Sequence, residues 1–250
     1  MPGRYDRQLG LAGLGEPGQA RLRAASCLVV GAGGLGSPVL LYLAGAGLGR
    51  LGIVDDDLVE ESNLHRQVVH GTSALGQGKA ESAAARVREL NPDVEAVPLA
   101  ERLDPGSAAG LLAGWDLVVD GSDNFPTRYA TNAAAVAAGV PLVWGAVQEL
   151  GGQVGVVVPG DGPCYRCLFP DPPPPGTVPS CAEAGVLGSV PGTLGAVMAT
   201  EALKLLTGLG RPVAGVLVHD AADQSWGRVP LRRRPDCPAC GDSAAAAGSG

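Results

Sequence analysis

Between the apolar run Cys27-Leu-Val-Val30 and a helical stretch that opens near Pro38 lies Gly31-Ala-Gly-Gly-Leu-Gly36. Gly31, Gly33 and Gly36 keep the G-x-G-x-x-G spacing, with Gly34 inside it. A strand, a glycine turn and a helix in that order form a phosphate cradle. Gly31 allows the tight turn, Gly33 admits close backbone approach to an anion, and Gly36 lets the helix pack on the strand. The free N–H groups of the helix start then point at the phosphate. A second apolar run, Leu51-Gly-Ile-Val54, ends in Asp55-Asp56-Asp57. Asp55 stands about 20 positions past the glycines, where such a unit places an acid on ribose hydroxyls. Asp57 is a further candidate for the nucleotide. Beyond it come Asn63, Arg66, Gln67 and Lys79. Arg66 and Lys79 exceed what hydride transfer needs, because the glycine turn already neutralises two phosphates. A triphosphate adds a third phosphate and a charged leaving group, which an arginine fork and a lysine point charge suit. These residues therefore favour ATP.

Six cysteines occur, four of them as two C-x-x-C pairs, Cys164/Cys167 and Cys237/Cys240. In a reducing compartment such pairs read as a four-thiolate zinc site, closed to catalysis and acting as a staple. Glu183 lies close to Cys181 and disfavours its thiolate, and no basic residue is near in sequence.

The elements that must position these groups alternate. After Lys79, the residues Ala80, Ala83, Val87 and Leu90 recur at helical spacing, and Asn91-Pro92 ends that helix. Val94–Leu99, Leu117–Asp120 and Leu142–Trp144 read as further strands. Asp123, in the turn after Leu117–Asp120, falls at a strand's C-terminal end, the edge where open α/β sheets bind ligands. From Gly152 the pattern changes to a Val-rich strand, Gln153–Val158, and a proline-rich crossover, Pro170–Pro179. A helix of roughly Pro191–Leu206 follows, then late, antiparallel strands at Val213–Val218 and Trp226–Leu231. Glu201 within that helix reads as a structural carboxylate, and the first 26 residues as a polar, glycine-rich connection. The fold class is α/β: a Rossmann-like, mostly parallel sheet flanked by helices, with late antiparallel strands and a four-cysteine zinc staple.

A net charge of −7 and a pI near 4.9 exclude nucleic acid and an anionic membrane as main partners. Arg232-Arg233-Arg234 reads as a solvated edge before a turn. No run reaches a membrane span and no signal-peptide core is seen at the start, so the expected location is cytoplasmic. With 46% apolar residues but 4% aromatic, packing is expected to be close and built on small side chains.

Taken together, RYDRQLG, GAGGLGS, DDDLVEESNLHRQ, GQGKAE, DGSDNFPTR, both C-x-x-C pairs, SCAEAGVLG and ATEALKLL resemble the MoeB/ThiF family. These are ubiquitin-activating-type adenylyltransferases, here in a form that ends without a rhodanese-like extension. The resemblance implies attack on the α-phosphorus of ATP by the Gly-Gly carboxylate of a ubiquitin-like sulfur-carrier protein. An acyl-adenylate and pyrophosphate result, and a separate sulfur donor protein later displaces AMP to leave a thiocarboxylate, in molybdopterin or thiamine biosynthesis. Carried over, Asp55 would hold ribose, Asn63, Arg66 and Lys79 the phosphates, and Asp123 Mg²⁺, with Gln67 supporting Arg66. Arg7 would act across a homodimer interface. The position of Cys181 links covalently to the carrier in the ThiF branch and is dispensable in the MoeB branch; both readings stay open. The implied layout is an N-terminal segment 1–26 contacting the partner subunit, a nucleotide-binding part 27–150, a carrier-binding and zinc part 151–243 of the same domain, and a disordered tail 244–250. Two readings compete: a NAD-dependent dehydrogenase, resting on the glycines and Asp55, and a catalytically inactive carrier-binding scaffold.

Overall fold

The computed structural model describes residues 3–174, 177 and 184–242. Its centre is β1 (Ser26–Val30), buried along its whole length. Side chains alternate across a strand. Cys27 and Val29 therefore face one layer, and Leu28 and Val30 the other. The neighbouring strands are β2 (Arg50–Val54), β3 (Glu95–Leu99), β4 (Leu117–Asp120) and β5 (Leu142–Gln148). All five run parallel. Then β6 (Gly151–Val157), β7 (Val216–Asp220) and β8 (Ser225–Val229) continue the sheet antiparallel, in the order β3-β2-β1-β4-β5-β6-β7-β8. The nucleotide-type half and the later half thus share one sheet.

One face is covered by α3 (Gly36–Ala46), α4 (Lys79–Leu90) and α8 (Ser189–Thr207), through Val39, Leu43, Ala83, Val87, Leu194 and Met198. The other carries α5 (Ala108–Leu112), α6 (Phe125–Ala138) and α7 (Tyr165–Leu168), with Leu112, Ala135 and Tyr165 packed against Leu28 and Trp144. The expected reliance on small residues holds where α8 crosses α3: a Cβ on Gly195 would lie 2.3 Å from Pro38. Glu201 is structural, its carboxylate taking Lys204 at 2.6 Å and the Val213 amide at 2.8 Å.

Residues 3–25 are more regular than a polar, glycine-rich connection suggests. They form α1 (Asp6–Leu9) and α2 (Gly15–Ala24). Gln8 and Gln19 both donate to the Ala46 carbonyl at 3.0 Å, closing the C-terminal end of α3. Carbonyls at a helix end lack intrahelical partners, and these two amides supply one. Two of the three arginines after β8 also do more than sit in solvent. Arg233 donates to the Cys240 carbonyl at 2.7 Å and Arg234 pairs with Asp236 at 2.8 Å, bracing the second cysteine turn. The middle of the proline-rich crossover, with Cys181 and Glu183, and the tail 244–250 lie outside the described residues. No helix among the described residues is long and apolar enough to cross a membrane.

Candidate functional site

The strand order reverses direction between β1 and β4, and a crevice opens there at the strands' C-terminal ends. Gly31 follows β1 with φ +89°. A side chain there would be strained and would also press on Gly121 after β4, since a Cβ would lie 3.2 Å from the Gly121 oxygen. At Gly36 a Cβ would fall 1.8 Å from the Gly31 oxygen. Gly33, in contrast, faces open space, with only the Gln67 amide at 3.7 Å. Turn, helix packing and anion approach are thus divided among three glycines.

The resulting cleft encloses about 500 Å³. Gly31, Gly33, Gly34, Asp55, Asp57, Arg66, Gln67, Lys79 and Asp123 all line it, so residues scattered over more than half the nucleotide part converge on one space. Asp55 accepts the Ala32 amide at 2.8 Å and the Asp57 amide at 3.0 Å. Burial nevertheless lifts its carboxyl above the usual range, partly offset by these bonds and by Lys79. Lys79 is buried and reaches Asp57 at 2.8 Å. Arg66 donates to the Ser62 carbonyl at 3.0 Å and contacts His65 Nε2 at 2.9 Å, which orients its fork. Gln67 is buried, and its Oε1 has no partner among the described residues. Asp123 is exposed at the cleft, in the loop after β4.

Two residues are not brought to this wall. Asn63 is buried, and its amide is turned onto its own turn, accepting the Glu60 amide at 3.3 Å and donating to Ser62 at 3.3 Å. Arg7 is exposed on α1, beside the C-terminal end of α3, whereas the glycine turn is at the N-terminal end of that helix. Eleven helical residues separate these ends by about 16 Å.

Other residues of the cleft were not anticipated. Arg102, in the loop after β3, pairs with Asp56 at 3.0 Å. Arg128 on α6 is buried and donates to the Ser122 carbonyl at 2.8 Å, holding the loop that carries Asp123. Beneath it Asp120 is fully buried, which raises its carboxyl pKa. A signal existed for both arginines: each lies in or just after a loop at a strand's C-terminal end, the ligand-binding edge.

The four C-x-x-C thiols meet on the far side of the sheet's later half. Cys164 and Cys237 sulfurs are 3.6 Å apart, Cys167 and Cys240 sulfurs 3.5 Å, and all four lie within 4.8 Å of one another. Four ligands at about 2.3 Å from one tetrahedral zinc would stand about 3.8 Å apart. The Asn132 amide and the Arg234 backbone N–H point at the Cys164 and Cys167 sulfurs, at 3.7 and 3.4 Å, as outer partners of thiolate ligands do.

This doubly wound sheet, with its glycine cradle and a cleft lined by both acids and bases, defines a nucleotide-binding α/β protein. The model of the ThiF family matches residues 5–239, and the chain belongs to that family. It is 55% identical over 247 residues to a sulfur carrier protein adenylyltransferase of Thermus thermophilus, covering 96% of this chain and 90% of that protein. The SAMP-activating enzyme E1 of Haloferax volcanii is 53% identical over 240 residues, covering 96% and 88%. An adenylyltransferase and sulfurtransferase, MOCS3, of Sus scrofa is 54% identical, but the chain spans only 53% of its length. Among solved structures, E. coli MccB with MccA-N7isoASN superposes with a TM-score of 0.85 at 21% identity, over 96% of this chain and 75% of that one. At that identity it establishes the shared fold alone.

Proposed function

We propose that the protein is an ATP-dependent adenylyltransferase that activates the C-terminal Gly-Gly carboxylate of a ubiquitin-like sulfur-carrier protein. One observation carries this reading. The cleft gathers Asp55, Arg66, Lys79 and Asp123 around an unobstructed Gly33. The relatives named as a sulfur carrier protein adenylyltransferase and as a SAMP-activating enzyme match over nearly their whole length. The carrier's carboxylate oxygen forms the new bond to the α-phosphorus, and the bond to the departing pyrophosphate breaks. A terminal carboxyl titrates near about 3.5, so at neutral pH it needs no general base. What remains is alignment and charge neutralisation, which the amides of the glycine turn, Arg66 and Lys79 supply. Asp57 holds Lys79 at the cleft, and Gln67 places its amide nitrogen near Gly33. Asp123 would hold Mg²⁺ together with substrate phosphates, which screens their charge. Zinc on Cys164, Cys167, Cys237 and Cys240 would pin the later half, 151–243, which offers the carrier its surface. Such free thiols suit the reducing cytoplasm.

Arg7 cannot serve its own cleft from the far end of α3, so its proposed site is the cleft of a second copy in a homodimer. Sulfur then comes from a separate donor protein. Cys181 lies outside the described residues, and a covalent link between it and the carrier would be read as a mass adduct that is lost in Cys181→Ser. The decisive test of the reading is ATP–pyrophosphate exchange with carriers ending in Gly-Gly. Exchange is expected only with an intact end, because removing one glycine withdraws the carboxylate by about 3.3–3.6 Å. Nicotinamide reduction without exchange, for every carrier tried, would replace this reading by the dehydrogenase.

A further inference from the structure

His70 is buried and does not line the cleft, yet its ring is fastened at both nitrogens. Nε2 lies 3.0 Å from the Ala32 carbonyl, and Nδ1 lies 2.9 Å from Ser82 Oγ. A carbonyl can only accept, so Nε2 carries the proton and donates, leaving Nδ1 for the serine hydroxyl. Burial, with Lys79 nearby, pushes the ring's pKa below the ordinary imidazole range and keeps this neutral form.

Ala32 is the residue between Gly31 and Gly33. Its amide donates to Asp55 while its carbonyl takes His70, so its backbone is gripped on both sides. Ser82 lies on α4, whose first residue is Lys79. Lys79 reaches Asp57, and the Asp57 amide returns to the other oxygen of Asp55. The bonds close a ring: Asp55, Ala32, His70, Ser82, the first turn of α4, Lys79, Asp57, and Asp55 again. One imidazole thereby ties the phosphate-binding turn to the helix that carries the phosphate-binding lysine.

We infer that His70 is a positioning residue for the nucleotide site, setting the spacing between the glycine turn and Lys79 through its bonds to Ala32 and Ser82. This rests on the ATP reading above. Without the imidazole, the circuit opens and the turn and α4 stay joined only through Asp55, Asp57 and Lys79. The Ala32 carbonyl is then left buried without a partner and its peptide is free to rotate. Phosphate affinity should suffer first, because the ring acts on the cradle in free and bound states alike, which raises KM with little change in kcat.

The experiment compares His70→Leu, His70→Gln and Ser82→Ala. Glutamine retains an N–H donor that can reach Ala32, whereas leucine retains only bulk. Binding of a non-hydrolysable ATP analogue is measured by calorimetry without any carrier, and hydrogen exchange is followed in the peptide containing residues 28–36. His70→Leu is expected to weaken binding about tenfold, the worth of one hydrogen bond, and to speed exchange of the glycine turn. His70→Gln should recover to within about threefold. In pyrophosphate exchange the loss should appear in KM for ATP. Ser82→Ala should shift binding in the same direction by a smaller factor, and it serves alone if His70→Leu does not fold. Wild-type affinity in a folded His70→Leu protein, equal damage from Leu and Gln, or an unchanged Ser82→Ala would each overturn the inference. Analogue binding without carrier exchange would instead overturn the adenylyltransferase reading and leave His70 to be judged on binding and turn exchange.

Discussion

Single alanine substitutions at Gly36 and Gly33 should separate two roles that one motif combines. At Gly36 the added Cβ would meet the Gly31 oxygen at 1.8 Å and its carbonyl carbon at 2.9 Å. Both are backbone atoms in a turn already held by Gly121, so neither can swing aside. Restoring ordinary contact takes a backbone shift of roughly 1.5 Å. Overpacking of this kind costs about 3 kcal/mol when no side chain can yield. For a domain of this size that lowers the Tm by about 6–12 °C. The same shift misplaces the cradle, and an error of about 1 Å can cost about a hundredfold in rate. Gly33 differs, because its Cβ would lie 3.7 Å from the Gln67 amide, which is ordinary contact. Gly33→Ala should therefore melt within about 2 °C of the parent. Its methyl group, however, stands where the phosphate must approach, and KM for ATP should rise at least about tenfold. The assays are calorimetric melting and pyrophosphate exchange on the same preparations. A Gly36→Ala protein with parental Tm, or a Gly33→Ala protein with parental KM, would refute this division of roles.

Asp123→Ala should lose exchange by about a hundredfold or more with an unchanged Tm, since the carboxylate is exposed; near-normal exchange would remove the metal from that position. Protein purified under reducing conditions without chelator should contain one zinc per chain, and Cys164→Ser or Cys237→Ser should lower the Tm before it lowers exchange. A metal-free preparation of full stability would count against the site. A mixed dimer of one Arg7→Ala chain and one Asp123→Ala chain, each inactive alone, should regain about half the activity, because one site then holds both residues. No recovery in dimers shown to be mixed would sink the role of Arg7 in trans.

Much of the cleft was readable residue by residue because its chemistry is local. A glycine that must adopt φ > 0, an acid at a strand's end and a lysine opening a helix each announce a role within a few positions. The sheet's central strands were equally open, since Cys27–Val30 and Leu117–Asp120 are apolar on both faces and end at turns. α2 was not, because what holds it includes the bond of Gln19 to the Ala46 carbonyl and that of the Gly49 amide to the Leu22 carbonyl, long-range contacts without periodicity.

From the sequence alone come the phosphate cradle, the charge set suited to a triphosphate and the thiol pairs suited to zinc. These depend on side-chain type and short spacing. The tertiary structure alone decided that Gln19 closes the C-terminal end of α3, and that Arg7 sits at the wrong end of α3 for its own cleft. It alone decided that His70 closes a hydrogen-bonded ring behind the glycine turn. Such facts depend on where the chain returns in space. That is set by the packing of helices on both faces of one sheet, and no local spacing records it.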